Sequence, residues 1–494
     1  MSKLTTLNCR RRFLEQAMLS TAACIAAQSM PKATRAAEDD RSPTVSPNEL
    51  IHVAIMGAGG RGQSHIAGFA DEKKGTIVTH ICDVDEKQGQ RSCDATAERQ
   101  GGKRPTYVAD VRKMLEDKSI HAVSIAAPNH WHSLGAIWAV QAGKDVYVEK
   151  PVSHNVVEGR RLVQTARRHN RMVQTGTQCR SNPGIINAMA FIHSGGIGEV
   201  AVARGFCYKP RPSIGPKGDY SIPAGIDYDL WTGPARMLPL TRPRFHYDWH
   251  WQWEYGNGDL GNQGIHQMDL CRWALGESRL SENVFSLGGR LGYEDAGQTA
   301  NTQLIVHDYG KKQLSFEVRG LKTDRYQGVD VGLIVEGSEG YLVIPSYDSA
   351  TAFTPDGDVI QTFQGGNDSY HYKNFQDAVR ARDHKLLNAD VEEGHISSAL
   401  CHLGNISMQL GELVPAQEVA PKVTKIAGPS QSILTWNRTV EHLASNGVKD
   451  FSVHVGPQLP FDPITERFTS NDSAQSLLTR EYRKGYELPN ETAV

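Results

Sequence analysis

Six residues, Ile51-His52-Val53-Ala54-Ile55-Met56, form a short apolar run that leads straight into Gly57-Ala58-Gly59-Gly60-Arg61-Gly62. This junction constrains the chain more than any other feature. A strand that ends in G-x-G-x-x-G and opens into a helix, here predicted over 63–70, is the first half of a βαβ unit. The pattern alone is weak in a chain with 47 glycines, so its setting matters. A second apolar run at 77–82 ends at Asp83, about twenty residues past Gly62, the spacing at which an acidic residue meets a ribose in dinucleotide-binding folds. Glycines let the backbone approach a pyrophosphate, whose charge meets unpaired N–H groups at the helix start, and Asp83 can accept hydrogen bonds from the adenosine ribose. A carboxylate there repels a 2′-phosphate, which favours NAD over NADP. The competing explanation is a tight glycine turn that binds nothing.

Two more apolar runs follow at 122–126 and 146–148, with helical spacers at 85–100, 111–116 and 132–141. Strands alternating with helices imply a doubly wound parallel sheet, a Rossmann domain over 50–151. After Pro151 the pattern changes. Helices are predicted at 156–169 and up to 193 around a loop at 176–183, then strand-like runs at 200–207, 284–288, 302–307, 313–318, 332–336 and 341–344. Many strands with few helices between them predict an α+β domain over 152–371 with an open, mostly antiparallel sheet, suited to substrate binding and oligomerisation. Helical stretches within 372–410 are expected to return to the first domain. Residues 411–494 form a C-terminal extension, an amphipathic segment and polar tail from about 428 without catalytic signal. The fold class is α/β overall.

At 494 residues the chain can bury two or three cores, and 39% hydrophobic with 22% charged is a globular balance that excludes collagen-like, disordered and membrane-spanning classes. A net charge of −2 without long runs of either sign leaves no reason to expect a nucleic-acid partner. Arg10-Arg11-Arg12-Phe13-Leu14 precedes an uncharged stretch at 17–30 that is too short to span a bilayer. It is similar to a twin-arginine signal peptide, with Cys9 and Glu15 where Ser and Lys are usual, and cleavage is expected after Ala36 or Ala37. That divides the N-terminus into a leader at 1–37 and a linker at 38–49. It implies passage through the twin-arginine translocon, a periplasmic or secreted location with the protein exported folded, and no membrane attachment after cleavage. Thr21-Ala22-Ala23-Cys24 as a lipoprotein box, or a basic disordered start, are the alternatives. Cys82, Cys93, Cys179, Cys207, Cys271 and Cys401 show no metal-type spacing, and folding in a reducing compartment favours buried free thiols.

The third and fourth strands lead into Pro128-Asn129-His130-Trp131-His132 and Glu149-Lys150-Pro151, at the carboxyl ends where an open parallel sheet binds ligands. Strand-G-x-G-x-x-G, Asp83, P-N-x-x-H and E-K-P in this order resemble the Gfo/Idh/MocA family of glucose-fructose oxidoreductases and inositol dehydrogenases, over about 51–410. The resemblance implies an NAD(P)-dependent oxidoreductase in which the Lys of E-K-P contacts substrate and cofactor. Carried over, it makes Lys150 a catalytic residue, and Pro128, Asn129, His132, Glu149 and Lys150 neighbours of the nicotinamide. A desolvated ammonium with a lowered pKa is a plausible proton shuttle. A solvated surface lysine is the plainer explanation.

Gly258 to Asp269 resembles the family's D-x-G-x-H-x-x-D segment, with His266 at the His position, a second catalytic candidate, but with Asn262 where Asp is common. Asn cannot accept a proton, which puts a full Lys-Asp-His relay in doubt. Asn262 and Asp269 are candidate substrate contacts, although His266 and Asp269, one helical turn apart, also fit a structural ion pair. Residues 245–255 hold six aromatics and two histidines. Trp249, Trp251 and Trp253 are therefore candidates for stacking on sugar C–H faces, with an oligomer interface or core ridge an equal explanation. Gln178 is a further pocket candidate, and no metal is expected. The functions these residues support are hydride transfer from a secondary alcohol of a sugar, polyol or glycoside to tightly bound NAD, a redox-neutral NAD-dependent glycoside hydrolase, or a non-catalytic sugar-binding module. The expected partner is a small carbohydrate or glycoside, and an open sheet with one exposed face favours a homo-oligomer.

Overall fold

The structure is a computed structural model that describes residues 49–427 and 431–490. The leader expected at 1–37 and all of the linker but Glu49 lie outside the described residues, as do 428–430 and 491–494. Six strands form the first sheet: β1 (Ile51–Met56), β2 (Thr76–Cys82), β3 (Thr106–Val108), β4 (Ala122–Ile125), β5 (Asp145–Val148) and β6 (Val173–Thr175). All pairs are parallel, in the order β3-β2-β1-β4-β5-β6. Helices cover both faces, which explains why the strands read as continuous apolar runs. Val53 and Ile55 of β1 face Ile66, Phe69 and Phe375, whereas Ala54 and Met56 face Leu134, Ile137 and Val140.

The expected end of this domain at 151 falls short. Strand β6 pairs with β5 beyond it, and its three residues, like the three of β3, are too few to show a period in the sequence.

The second sheet is built from β7 (Val200–Tyr208), β8 (Asn283–Gly289), β9 (Thr302–Asp308), β10 (Gln313–Arg319), β11 (Val331–Gly337), β12 (Tyr341–Ile344), β13 (Ser349–Phe353) and β14 (Val359–Gln364). The extension adds β15 (Glu412–Pro415), β16 (Ser452–Val455), β17 (Leu459–Asp462) and the short β18 (Arg467–Phe468). Every pair is antiparallel except β7 with β10. Helices Pro183–His193 and Ile265–Ala274 cover one face, where Ile185, Met189, Met268 and Cys271 share a core with Ala203, Leu314 and Phe316.

Of the two returning helices, Ser369–Ala381 packs on the first sheet through Tyr372, Phe375 and Val379. Helix Val391–Gln409 joins both halves. Val391 belongs to the parallel-sheet core, while Ile396, Leu400, Leu403 and Ile406 belong to the second.

The expectation of a mere amphipathic segment and polar tail after 428 is corrected. Strand β16 pairs with β8, and Trp436 packs with Phe285, Leu287, Leu304 and Val306, covering the outer face of β8 and β9. The open sheet face from which association was argued is thus partly closed by the chain itself. The last described residues then reach the first domain. Leu478 O accepts from Val157 N at 3.0 Å, Tyr482 Oη donates to Glu158 at 3.2 Å, and Arg480 pairs with Glu254. Tyr486 lies edge-on to Trp131, centroids 5.7 Å apart, and beside Trp138.

Truncating a buried aromatic costs about 3 kcal/mol or more. Tyr486→Ala is expected to lower unfolding free energy by about 3 kcal/mol, read as an earlier denaturation midpoint at unchanged slope. A midpoint equal to wild type would show that the tail is not part of the cooperative fold.

Candidate active site

The strand order reverses between β1 and β4, and a cleft of about 500 Å³ opens at their carboxyl ends. Its floor is the glycine loop. Gly57 holds φ +86°, and a Cβ there would fall 2.7 Å from Ala127 N, so the loop can lie against the end of β4 only without a side chain. A Cβ on Gly62 would stand 2.0 Å from Gly57 O, which is how the Arg61–Phe69 helix sits directly on the turn. By contrast, a Cβ on Gly59 or Gly60 would meet nothing within 4 Å, and both residues border the cleft. No side chain caps the helix start. Open backbone and an uncapped N-terminus are the two features a diphosphate requires, so the loop fits that group.

Asp83, also on the cleft, braces the loop. Its carboxylate accepts from Ala58 N at 2.8 Å and Asp85 N at 2.9 Å, and burial pushes its pKa up against those bonds. Pro128, Asn129 and His132 border the opposite side. Asn129 donates to Asn257 at 3.0 Å, and the His132 ring bridges Pro151 O and Ala127 O, which ties the loop after β4 to the turn after β5.

Glu149 and Lys150 occupy the end of β5. Glu149 is buried, accepting from Arg61 Nε at 2.7 Å, from His65 Nε2 at 3.1 Å and from Lys150 N at 3.2 Å. Burial alone would raise its pKa, yet the Arg61 charge and then the His65 bond hold it well below the carboxylate range. His65, pushed down by burial, is neutral, and Ser124 Oγ supplies the partner for its Nδ1 at 2.8 Å. Lys150 Nζ donates to the main-chain carbonyl of Asn262 at 2.7 Å. Burial lowers the Lys150 pKa; the Glu149 charge opposes this, and the charges of Arg61, Lys209 and Arg211 add to it.

The second domain supplies the far wall. Asn262 lies in a π-helical turn, Leu260–Gly264, which breaks into the Ile265–Ala274 helix and brings its carbonyl to Lys150. Trp249 borders the cleft, stacked on His250 at 3.6 Å. Tyr247, His246 and His250 from the same segment border it too, as do Trp131 and Trp231. Tyr247 holds φ +67°, a strained conformation for a side chain of its size, while its hydroxyl accepts from Arg211 at 3.0 Å.

Several expected contacts stand elsewhere. Trp251 is buried with Ile214 and Ala296 behind the cleft, and Trp253 does not border it, because the 3₁₀ turn at Asp248–Trp251 rotates successive rings to different sides. Asp269 is corrected to a structural role. It is buried and holds Arg180 at 2.8 Å and Ser397 at 2.7 Å. Gln178 is not on the wall, and its Oε1 is buried without a partner. His266 lies behind the wall, buried, with Nδ1 unpartnered and its ring 5.2 Å from Tyr347. It is near enough to Lys150 that burial first and the Lys150 charge second keep it neutral. Local signals in the sequence point to His246, Tyr247 and His250, within the aromatic run, but not to Trp231.

Glu149→Gln would leave Arg61 without its buried carboxylate, a loss of about 3–5 kcal/mol. Because the folded pKa of Glu149 is depressed, its contribution is full above about pH 4.5, the unfolded value, and is lost as pH falls through the folded one. The variant should be less stable at pH 7 and show a shallower stability loss on acidification. Parallel acid-unfolding curves for the two proteins would contradict this.

The first domain matches the family model "Oxidoreductase family, NAD-binding Rossmann fold" over residues 51–177, and the second matches "Oxidoreductase family, C-terminal alpha/beta domain" over 206–431. The levoglucosan dehydrogenase of Pseudarthrobacter phenanthrenivorans is 26% identical over 239 residues, 48% of this chain and 54% of that enzyme. Inositol 2-dehydrogenase 1 of Saccharopolyspora erythraea is 29% identical over 150 residues, 30% and 43%. An uncharacterized oxidoreductase of Rhizobium meliloti is 36% identical over 137 residues, 26% and 40%. The chain thus spans between 40% and 54% of the length of these curated relatives. Among solved structures, levoglucosan dehydrogenase in complex with NADH and levoglucosan superposes with a TM-score of 0.56 at 19% identity, covering 72% of this chain and 95% of that one. The WlbA dehydrogenase of Bordetella pertussis in complex with NADH and UDP-GlcNAcA gives 0.53 at 18% identity, covering 71% and 94%. With both of its domains matched in order along the chain and its glycine loop shaped for a diphosphate, the protein belongs to the Gfo/Idh/MocA oxidoreductase family and carries that family's NAD-binding Rossmann fold.

Proposed function

We propose that the protein oxidises a secondary alcohol of a sugar, polyol or glycoside, with NAD on the Gly57–Gly62 loop and Lys150 as the proton acceptor. The observation that carries this is the placement of Lys150: an amine on the cleft, hydrogen-bonded to a neutral carbonyl, whose pKa burial and three cations lower against the opposing charge of Glu149. NAD, when bound, supplies the hydride acceptor. The protein supplies the rest. Lys150 as the free amine keeps one N–H on Asn262 O and turns its lone pair to the substrate hydroxyl, whose proton it takes as the C–H electron pair leaves with the hydride. The Trp249 ring offers a face for sugar C–H groups. The cyclic polyols in the names of the relatives, levoglucosan and inositol, support this substrate class. Export along the twin-arginine route in folded form fits a cofactor acquired before export and retained.

Lys150→Met is expected to lower kcat for alcohol oxidation by about 10²- to 10⁴-fold with NADH binding, read by fluorescence, retained. Lys150→Arg should not rescue it, since a guanidinium stays charged. In the wild type the oxidation rate should rise with pH through the Lys150 pKa and level off below the ordinary lysine value of about 10.5, because only the neutral amine accepts a proton. Full turnover in Lys150→Met, or turnover of glycosides with no NADH formed at any stage, would overturn the proposal.

A further inference from the structure

The cations around Lys150 are unequally answered. Arg61 has Glu149 at 2.7 Å and Asp368 at 3.2 Å, and Arg211 has Asp259 at 3.0 Å. Lys150 and Lys209 have only neutral acceptors. Lys150 donates to the main-chain oxygen of Asn262 and Lys209 to the side-chain oxygen of Gln263 at 3.0 Å, consecutive residues of one π-helical turn. Neither ammonium forms an ion pair among the described residues. The two histidines of this region bring no negative charge, and both are held neutral by burial: His250 at about 3 and His266 well below its usual value. Position 262, where the family pattern commonly carries Asp, is Asn, which leaves the turn itself uncharged. The Lys209 charge is felt at both Lys150 and His266, so the ammoniums share one electrostatic neighbourhood.

Next to the Asn262–Gln263 turn, behind the cleft wall, one buried polar atom lacks a partner. His266 Nδ1 is buried and unbonded, and Gln263 Nε2, which donates to Tyr347 Oη, aligns the amide so that its oxygen faces Lys209. A half-buried ammonium such as Lys209, whose acceptor is a neutral amide oxygen, is relieved by an anion beside it, and a neutral sugar brings none.

We infer that the substrate is a sugar acid, its carboxylate received by Lys209 at the Asn262–Gln263 turn while the reacting hydroxyl meets Lys150; this rests on the oxidoreductase reading above. The carboxylate takes no part in bond-making. It sets which alcohols bind and which hydroxyl reaches the amine. Lys209 is therefore a specificity residue, whereas Lys150 remains the proton acceptor.

The test uses full-length protein loaded with NADH and two ligand series, glucuronate with its methyl ester and glucose, and galacturonate with its methyl ester and galactose. Calorimetric binding is expected to be at least ten-fold tighter for an acid than for its methyl ester and hexose in one series, with the advantage shrinking at 0.5 M salt, a concentration at which the Debye length falls to about 4 Å. Lys209→Gln should abolish the advantage and Lys209→Arg should keep it. In turnover, Lys209→Gln should raise KM for the acid more than it lowers kcat. It should also shift the alkaline rise of the pH profile upward, because removing a neighbouring cation raises the Lys150 pKa. Acid binding no tighter than ester binding in both series, undetectable binding included, or an unchanged preference in Lys209→Gln overturns the inference. NADH binding is measured on the same samples beforehand. Its absence would overturn the oxidoreductase proposal instead, while NADH binding without acid preference overturns only the sugar-acid inference.

Discussion

Glu149 is a carboxylate enclosed at the end of a parallel strand, and a buried charge persists only where surrounding groups answer it. The answers come from separate parts of the chain. Arg61 and His65 reach it from the helix that follows the glycine loop, and Lys150 offers its own amide. Gly176, just past β6, is the neighbour that must stay small, since a Cβ there would lie 2.8 Å from Glu149 Oε1. One carboxylate therefore ties the helix of the glycine loop to the main chain at Lys150. His65 extends the tie to β4 through Ser124, so the two strands flanking the switch point are coupled by the same chain of hydrogen bonds. This explains why Glu, and not merely any acid, precedes the lysine: its length brings both oxygens to donors on different elements.

The parts of this arrangement that were legible in the sequence are those where local pattern and fold coincide. Strand β1 is buried on both faces, so it reads as an unbroken apolar run, and the motif residues after β1, β4 and β5 meet because a parallel sheet gathers all its carboxyl ends on one edge. Where contacts are non-local the sequence is silent. Asp269 stands one helical turn from His266 and looks like a site residue, yet its partner Arg180 is 89 positions away and nothing local announces it. The aromatic run of 245–255 failed for a different reason. A positive φ at Tyr247 and a 3₁₀ turn after it break both the two-residue and the 3.6-residue periods, so neighbouring rings diverge to the cleft, to the Trp231 cluster and to the back of the domain. The extension was underestimated because β16 and β17 are four residues each and acquire meaning only by pairing with β8.

The extension also changes what the second sheet is for. In a chain without it, the outer face of β8 and β9 would expose Phe285, Leu287, Leu304 and Val306. Trp436 and Val419 cover them, and the same segment continues to Trp131, whose other neighbourhood is the cleft. Packing that stabilises the back of one domain is thus continuous with packing that supports the ligand-facing wall of the other. Arg480, held by Glu254 and close to His154, reinforces that continuity beside the aromatic segment.

Charge is distributed unevenly along the cleft. At one end stand Asp83 and Asp110, with His246 of the second domain reaching Asp85 at 3.1 Å. At the other stands Lys150, with Lys209 and Arg211 near enough for their charges to act on it. The carboxylates nearest the amine are already engaged, Glu149 by Arg61 and His65 and Asp259 by Arg211. An acidic partner beside Lys150 would raise its pKa and hold the proton. Glu149 does act on Lys150 in that sense, but burial first and the charges of Arg61, Lys209 and Arg211 outweigh it, and the amine's one acceptor is a neutral carbonyl. In the proposed reaction, the turn at Asn262 holds no carboxylate to which Lys150 could pass a proton. With Asn at 262, the proposed proton acceptor is a lysine whose pKa burial first and neighbouring cations second bring down, and the charged group of the proposed ligand would add to that balance.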